Sequence, residues 1–301
     1  MQTGPSRRVE ISAPLWMLMS AVLFACMVIT IRLASQTLHA FEVAFLRNLF
    51  GLLFALPLLW RAGSGLLRTD KLPLYFLRCV IGLLSMLCGF WAIAHLPLAQ
   101  AVSISYSTPI FVTVGAVLVL GEVVRMRRWS AVAVGFIGVL IIVRPGSAAF
   151  SFDSVIALTA AIASASVAIS IKILSRTEPA DAIVLYTTLI WTPLSLLPAV
   201  FVWQWPSPLA WLWGAMAGLL GTAAHMCWTR ALGAGEASAL TPISFVQLPV
   251  VALLAWWLFG ESVDRYTAIG AGIIFASTVY IAHREAVLTR KVARDIAARQ
   301  D

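Results

Sequence analysis

The polar side chains able to meet a ligand gather in two stretches of otherwise apolar sequence. The first holds Ser103, Ser105, Tyr106, Ser107, Thr108 and Thr113. Ser103 and Ser107 share one helix face, with Tyr106 beside them. The second stretch holds Ser238, Thr241, Ser244 and Gln247, with Phe245 adjacent. His225 and Trp228 stand three residues apart on one helix face, where they would present a hydrogen bond and an aromatic wall. Trp91 is a second candidate wall. Hydroxyls, one amide, one imidazole and large rings suit neutral or zwitterionic solutes better than bare ions. They do not suit catalysis, which would need paired acids, spaced metal ligands or a His–Asp set. No DxxxD, HxxxxD or CxxC pattern occurs. Cys26, Cys79, Cys88 and Cys227 are isolated in apolar runs and read as small buried hydrophobes, so no metal, disulfide or cofactor is expected.

The elements that position these residues must lie in lipid. Of 301 residues, 61% are hydrophobic and 11% charged, against roughly 45–50% and about 25% in a soluble domain. So few charges cannot clothe a soluble protein of this size, and so apolar a chain is not disordered. The apolar runs are unbroken over about 20 residues, the length of a membrane helix, and lack the alternating pattern of a barrel. The predicted class is therefore an all-α integral membrane protein with ten spans. They fall near 14–34, 41–60, 73–94, 98–119, 129–143, 154–174, 181–203, 208–231, 237–258 and 266–283. The first run is long enough to be a retained span and is not read as a cleaved signal.

Basic residues set the orientation. Fifteen of the 21 Lys and Arg residues fall on the side of the termini, two on the other. By the positive-inside rule the termini are cytoplasmic, in an inner or plasma membrane. This bias accounts for the net charge of +8, so nucleic acid is not an expected partner. Arg32, Arg47, Arg78 and Lys172 lie within or at the edges of spans. For Arg47 and Arg78, snorkelling, pairing with Glu42 or a headgroup, and carboxylate binding are the alternatives. In the tail from Glu285, Leu288, Val292 and Ile296 recur at helical spacing opposite basic residues, the pattern of a helix lying on an anionic surface.

The chain also resembles itself. Trp91-Ala-Ile-Ala94 matches Trp228-Thr-Arg-Ala231, and Gly121-Glu122 matches Gly260-Glu261. Arg32 followed by Glu42 parallels Lys172 followed by Asp181. Five spans per copy is an odd number, so the second copy enters the membrane from the opposite side. Inverted repeats of this kind support alternating access around a midplane cavity. Glu122 and Glu261 would be gate latches, paired with a basic residue of the other half, or solvated helix-end anchors. Pro109 and Pro249, with Pro242, interrupt the fourth span of each copy, where a freed carbonyl must face protein or a cavity.

These features resemble the drug/metabolite transporter superfamily in its ten-helix form with two EamA-type halves. The resemblance covers nearly the whole chain. It rests on the duplicated five-span unit and on Ser107-Thr-Pro-Ile-Phe with Gly121-Glu122. It rests also on the second copy around Pro249 and Gly260-Glu261, and on Gly135, Gly138, Gly270 and Gly272 in the fifth spans. It divides the chain into an N-terminus (1–13), a first repeat (14–145), a second repeat (154–284) and a basic tail (285–301). It implies a cavity lined by the first, third and fourth helices of each half, with the second helices outside and the fifth peripheral, in a monomer or homodimer. Small multidrug exporters, distant relatives, carry a glutamate in their first helix; Cys26 and Ser164-Ala-Ser166 stand at that depth here. Coupling would then rest on exchange or on His225. The expected activity is secondary transport of a small amphipathic metabolite, an amino acid or related solute, by export. Import of an aromatic vitamin such as riboflavin, or export of a metal chelator or drugs, fits the same residues. A membrane enzyme is the remote alternative.

Overall fold

The computed structural model describes residues 13–62, 69, 71–120, 126–147, 150–174, 180–234 and 243–297. Their regular structure is helical: α1 (Ala13–Ala34), α2 (Ala40–Ala62), α3 (Leu72–His95), α4 (Leu98–Ser105), α5 (Thr108–Leu120) and α6 (Met126–Val143) in the first half. The second half holds α7 (Phe152–Leu174), α8 (Ala180–Val200), α9 (Pro208–Ala234), α10 (Gln247–Phe259) and α11 (Arg265–Ala297). Ala13–Ala34, Leu72–His95, Leu98–Val119 and Phe152–Ile171 are each long and apolar enough to cross a membrane.

The fourth span of each half is broken at the same place. Helix α4 stops at Ser105, the chain turns at Tyr106–Ser107, and α5 begins at Thr108. In the second half Ile243 and Ser244 are helical, Phe245–Val246 turn, and α10 begins at Gln247. Helices α5 and α10 are both 13 residues long and start 139 positions apart. Pro109 and Pro249 therefore sit in the first turn of the new helix, where a missing N–H costs nothing. The break precedes each proline and does not follow from a mid-helix kink. Local hydroxyls add bonds at the break: Ser105 donates to the Val102 carbonyl at 2.7 Å and Ser107 to Ile104 at 2.6 Å, carbonyls that also hold a backbone amide, while Thr108 donates at 2.7 Å to the Ser105 carbonyl, to which Pro109 offers no N–H.

Packing follows a pseudo-two-fold rule. The α1/α9 contact has its counterpart in α7/α3, α2/α9 in α8/α3, and α1/α10 in α7 against α4 and α5. The α2/α8, α4/α10 and α6/α11 contacts pair each element with its own copy. Eight spans thus close a ring in the order α10, α1, α9, α2, α8, α3, α7 and the α4–α5 span. The second helices, α2 and α8, complete this ring and do not stand outside it. Helices α6 and α11 lie outside, packed on one another. At their crossing an added Cβ on Gly138 would lie 2.9 Å from the Gly270 carbonyl, and one on Gly270 would lie 2.6 Å from the Gly138 carbonyl. Only glycines allow that approach.

The inversion is visible in which ends meet. Within one half, two spans of alternating direction lie between the first and the fourth, so those two run antiparallel. Yet the end of α1 (Arg32) meets the residue just past the end of α10 (Glu261). The two halves therefore cross in opposite senses.

Helix α11 departs from expectation at its far end. It continues as one helix of 33 residues through the basic tail. At about 1.5 Å per residue that is roughly 50 Å, against about 30 Å of hydrocarbon. The helix of the last span thus continues without a break from Arg265 to Ala297.

Candidate functional site

The ring is closed at one face, the face where α1 ends. Glu261 accepts Arg32 Nη2 at 2.8 Å on one carboxylate oxygen and the Leu98 amide at 2.8 Å on the other. Arg32 also donates to the carbonyls of Ile93 (2.7 Å) and Ala94. One carboxylate from the second half thus ties together the end of α1, the end of α3 and the start of α4. Both side chains are 19% exposed, so the pair is shielded well beyond an ordinary surface ion pair. Around it Trp91 Nε1 donates to Asp153 at 2.9 Å and its ring stacks on His95. Glu42 accepts the His39 and Gln204 amides, and Arg144 pairs with Asp264 and lies over the Tyr266 ring. Arg144 holds a left-handed backbone (φ 52°) just past the end of α6, at the start of the connection to α7.

Beneath this closure the two broken spans cross. The Tyr106 ring stacks on Phe245, its repeat mate, with centroids 4.1 Å apart. The Tyr106 hydroxyl reaches the Ser244 carbonyl at 2.6 Å and Gln247 Oε1 at 3.1 Å. Ser103 is buried and donates to Ala99 at 2.6 Å. Behind the crossing, α4, α10 and α11 line an open apolar pocket of about 460 Å³, with Ser103, Phe245, Pro249, Thr267 and Phe275 among its walls.

Toward the other face, where α1 begins, the ring opens. The later part of α1, from Leu23 to Ala34, has no exposed residue, whereas Leu15, Leu18, Met19 and Val22 are exposed. Helix α3 repeats the pattern: Ser85 to Ala94 are covered, while Phe76, Leu77, Val80 and Leu84 are exposed. In the closed part Phe90 of α3 sits in a buried cluster with Ile31, Val43, Leu46 and Ala217. A surface that faced only lipid would be exposed along its whole length. Exposure confined to one end means that α1 and α3 diverge there.

Helix α9 shows which of its sides faces the ring interior. On a helix turning about 100° per residue, Gly214, Gly218 and Gly221 form one stripe. An added Cβ there would meet Leu46 of α2, Phe50 of α2, and Met27 of α1 with Arg47 of α2, respectively. The stripe therefore looks between α1 and α2, into the ring. His225 and Trp228 continue the same stripe but are exposed. Leu212 and Leu219, exposed on the other side of α9, face outward. His225 and Trp228 thus line the opening crevice, with Phe24 of α1 edge-on to His225 at 5.0 Å.

The structure gathers Ser103, Tyr106, Ser244, Gln247 and Pro249 at the crossing and His225 with Trp228 on the crevice wall. Trp91 stands apart, in the closed face. Ser107 is fully buried with its hydroxyl spent on its own helix, and Pro109 opens α5. Thr241 and Glu122 lie outside the described residues. Sequence reasoning placed Arg32 at the edge of its span without choosing a partner for it; the reading of Glu261 as a latch paired with a basic residue of the other half was the signal. Leu98 and Asp153 were missed, because a backbone amide and a helix-start acid carry no signature of distant partners. Glu42 is engaged by backbone amides and not by Arg47. Among the described residues no group of three His, Cys, Asp or Glu stands close enough to hold a metal ion.

Known proteins share this plan. Residues 11–144 and 153–282 each match the EamA-like transporter family. The chain is 31% identical over 288 residues to a riboflavin transporter of Vibrio cholerae, covering 94% of this chain and 96% of that one. It is 27% identical over 270 residues to an S-adenosylmethionine uptake transporter of Rickettsia prowazekii, covering 90% and 92%. A solved crystal structure with 19% identity and a TM-score of 0.63, covering 93% of this chain and 98% of that one, has the same fold. A ring built from two inverted halves, each half matching the same family, means that this chain belongs to the EamA-like transporter family and is a multi-pass membrane transporter of small molecules.

Proposed function

We propose that the protein is a secondary transporter exporting a small amphipathic metabolite, an amino acid or related solute, across a bacterial inner membrane by alternating access. The observation that carries this reading is the asymmetry of the ring, latched by Arg32, Glu261 and the Leu98 amide at one face and splayed at the other. The positive-inside bias makes the splayed face cytoplasmic, so the solute would enter past His225 and Trp228. At the crossing Tyr106, Ser244 and Gln247 would supply hydrogen bonds, with Ser103 and Ser107 beside them; Thr241 and Trp91 are further candidates for solute contact. Glu261 would gate the outer face and Glu122 the inner one. The breaks ahead of Pro109 and Pro249 would be the points at which the fourth spans flex. A second reading, import of riboflavin, is favoured by the named activity of the Vibrio cholerae relative.

The test is counterflow in proteoliposomes with radiolabelled amino acids, riboflavin and S-adenosylmethionine, with and without a pH gradient. Saturable exchange of an amino acid or related solute, lost in Gln247→Ala with folding intact, is the expected result. Exchange of riboflavin alone would establish the second reading, and absence of any flux would remove both.

A further inference from the structure

One poorly compensated charge faces the substrate pathway. Arg47, on α2, extends across to α9, and its guanidinium lies over Gly221: a Cβ added there would stand 3.0 Å from Nη2 and 3.2 Å from Nε. Gly221 is the last covered position of the interior stripe, and His225, one turn on, is the first exposed one. His225 is within electrostatic range of Arg47. The guanidinium therefore sits between α2 and α9 beside the last covered position of the interior stripe. Its recorded hydrogen bond goes to the neutral Asn48 Oδ1 at 3.0 Å. Asn48 is itself held by donating to Ser195 at 3.1 Å. Among the described residues no carboxylate pairs with Arg47: the ion pairs found are Arg32–Glu261 and Arg144–Asp264. Glu42, on the same helix, is bound by two backbone amides.

A guanidinium well inside a membrane protein is costly without a counter-charge. Its planar fork matches a carboxylate or phosphate in a bidentate pair. We propose that Arg47, given room by Gly221, binds the anionic group of the transported solute, with His225 as its neighbour in that subsite. The proposal rests on the transport reading above and narrows its substrate class. The solute carries a carboxylate or phosphate, as an amino acid does, and is not a neutral ring system alone. At the crossing, Tyr106 and Gln247 then hold the remainder of the solute, and the anion lies at the α2/α9 wall.

The test needs no knowledge of the solute. The purified full-length protein, in lipid-free detergent micelles, is heated in rising acetate or inorganic phosphate at constant ionic strength set with chloride. Wild type is expected to show a saturable rise in melting temperature with at least one of the two anions. Arg47→Gln is expected to raise the half-saturating concentration about ten-fold or more, the scale of a lost charge-assisted hydrogen-bonded pair. Arg47→Lys, a point charge without the fork, is expected to fall between. Gly221→Ala keeps every charge but intrudes on the guanidinium, and is expected to weaken the anion effect as well; it also covers the case in which Arg47→Gln fails to fold. A wild-type protein stabilised no more by acetate or phosphate than by chloride would overturn the proposal. So would stabilisation that requires added anionic phospholipid, or an effect unchanged in both Gly221→Ala and Arg47→Lys. Saturable anion binding without flux of any solute in proteoliposomes would leave this subsite standing and remove the transport reading.

Discussion

A single carboxylate, Glu261, holds three helix ends by accepting from Arg32 and from the Leu98 amide. Neutralising either partner leaves the other shielded and unpaired, so the loss exceeds that of a surface pair. Glu261→Gln and Arg32→Gln are each expected to destabilise the closed face, and their double-mutant cycle in chemical denaturation should return a coupling of about 0.5–3 kcal/mol. Additive effects would mean that the two charges do not act together. The Tyr106 hydroxyl is the other residue-scale contact, joining α4 to Ser244 and Gln247. Tyr106→Phe keeps the ring stacked on Phe245 and removes only the hydroxyl. The expected cost is about 0.5–1.5 kcal/mol in the same measurement, with a larger fractional loss of transport than of stability. Transport at the wild-type rate would show that the hydroxyl meets no solute.

At the scale of elements, the spans, their number and their duplication were legible in the sequence, because hydropathy and basic-residue bias act one helix at a time. The paired Gly-Glu motifs placed a carboxylate at the end of each fourth span, and Glu261 is there. The turns at Tyr106–Ser107 and Phe245–Val246 were not legible, since prolines two or three residues later read as kinks within a helix. At the first break Thr108 turns its hydroxyl onto the Ser105 carbonyl, and Ser105 and Ser107 add hydroxyl bonds to carbonyls that already hold a backbone amide. The same serines were read as contacts to a ligand or to other helices; a hydroxyl proton serves one acceptor at a time. Arg47 could not be placed because its surroundings depend on how closely α2 crosses α9, which the glycines of α9 decide. Glycines in the α6/α11 crossing were legible as packing residues. There Gly138→Val is expected to cost about 1–3 kcal/mol by separating the two helices, measured by unfolding in mixed micelles. An unchanged unfolding midpoint would show that the outer pair adjusts freely.

The whole molecule is a ring held shut at one face and parted at the other. In a background free of Cys26, Cys79, Cys88 and Cys227, His225→Cys is expected to react with a membrane-impermeant maleimide applied to the face where α1 begins. Leu212→Cys, on the lipid side of the same helix, is expected to stay unlabelled. Equal labelling of both, or of neither, would mean that no aqueous crevice reaches α9. On the proposed alternating-access reading, the latch also has a thermodynamic consequence. Every ~1.4 kcal/mol by which it favours one orientation makes that orientation about ten times more populated in the unloaded carrier. A solute approaching the open face finds the receptive state ready. One approaching the latched face must wait for the rare alternative, and its apparent dissociation constant rises by the same population ratio. The Arg32–Glu261 pair therefore sets how unequal the two sides of the membrane look to the same molecule, before any gradient is applied.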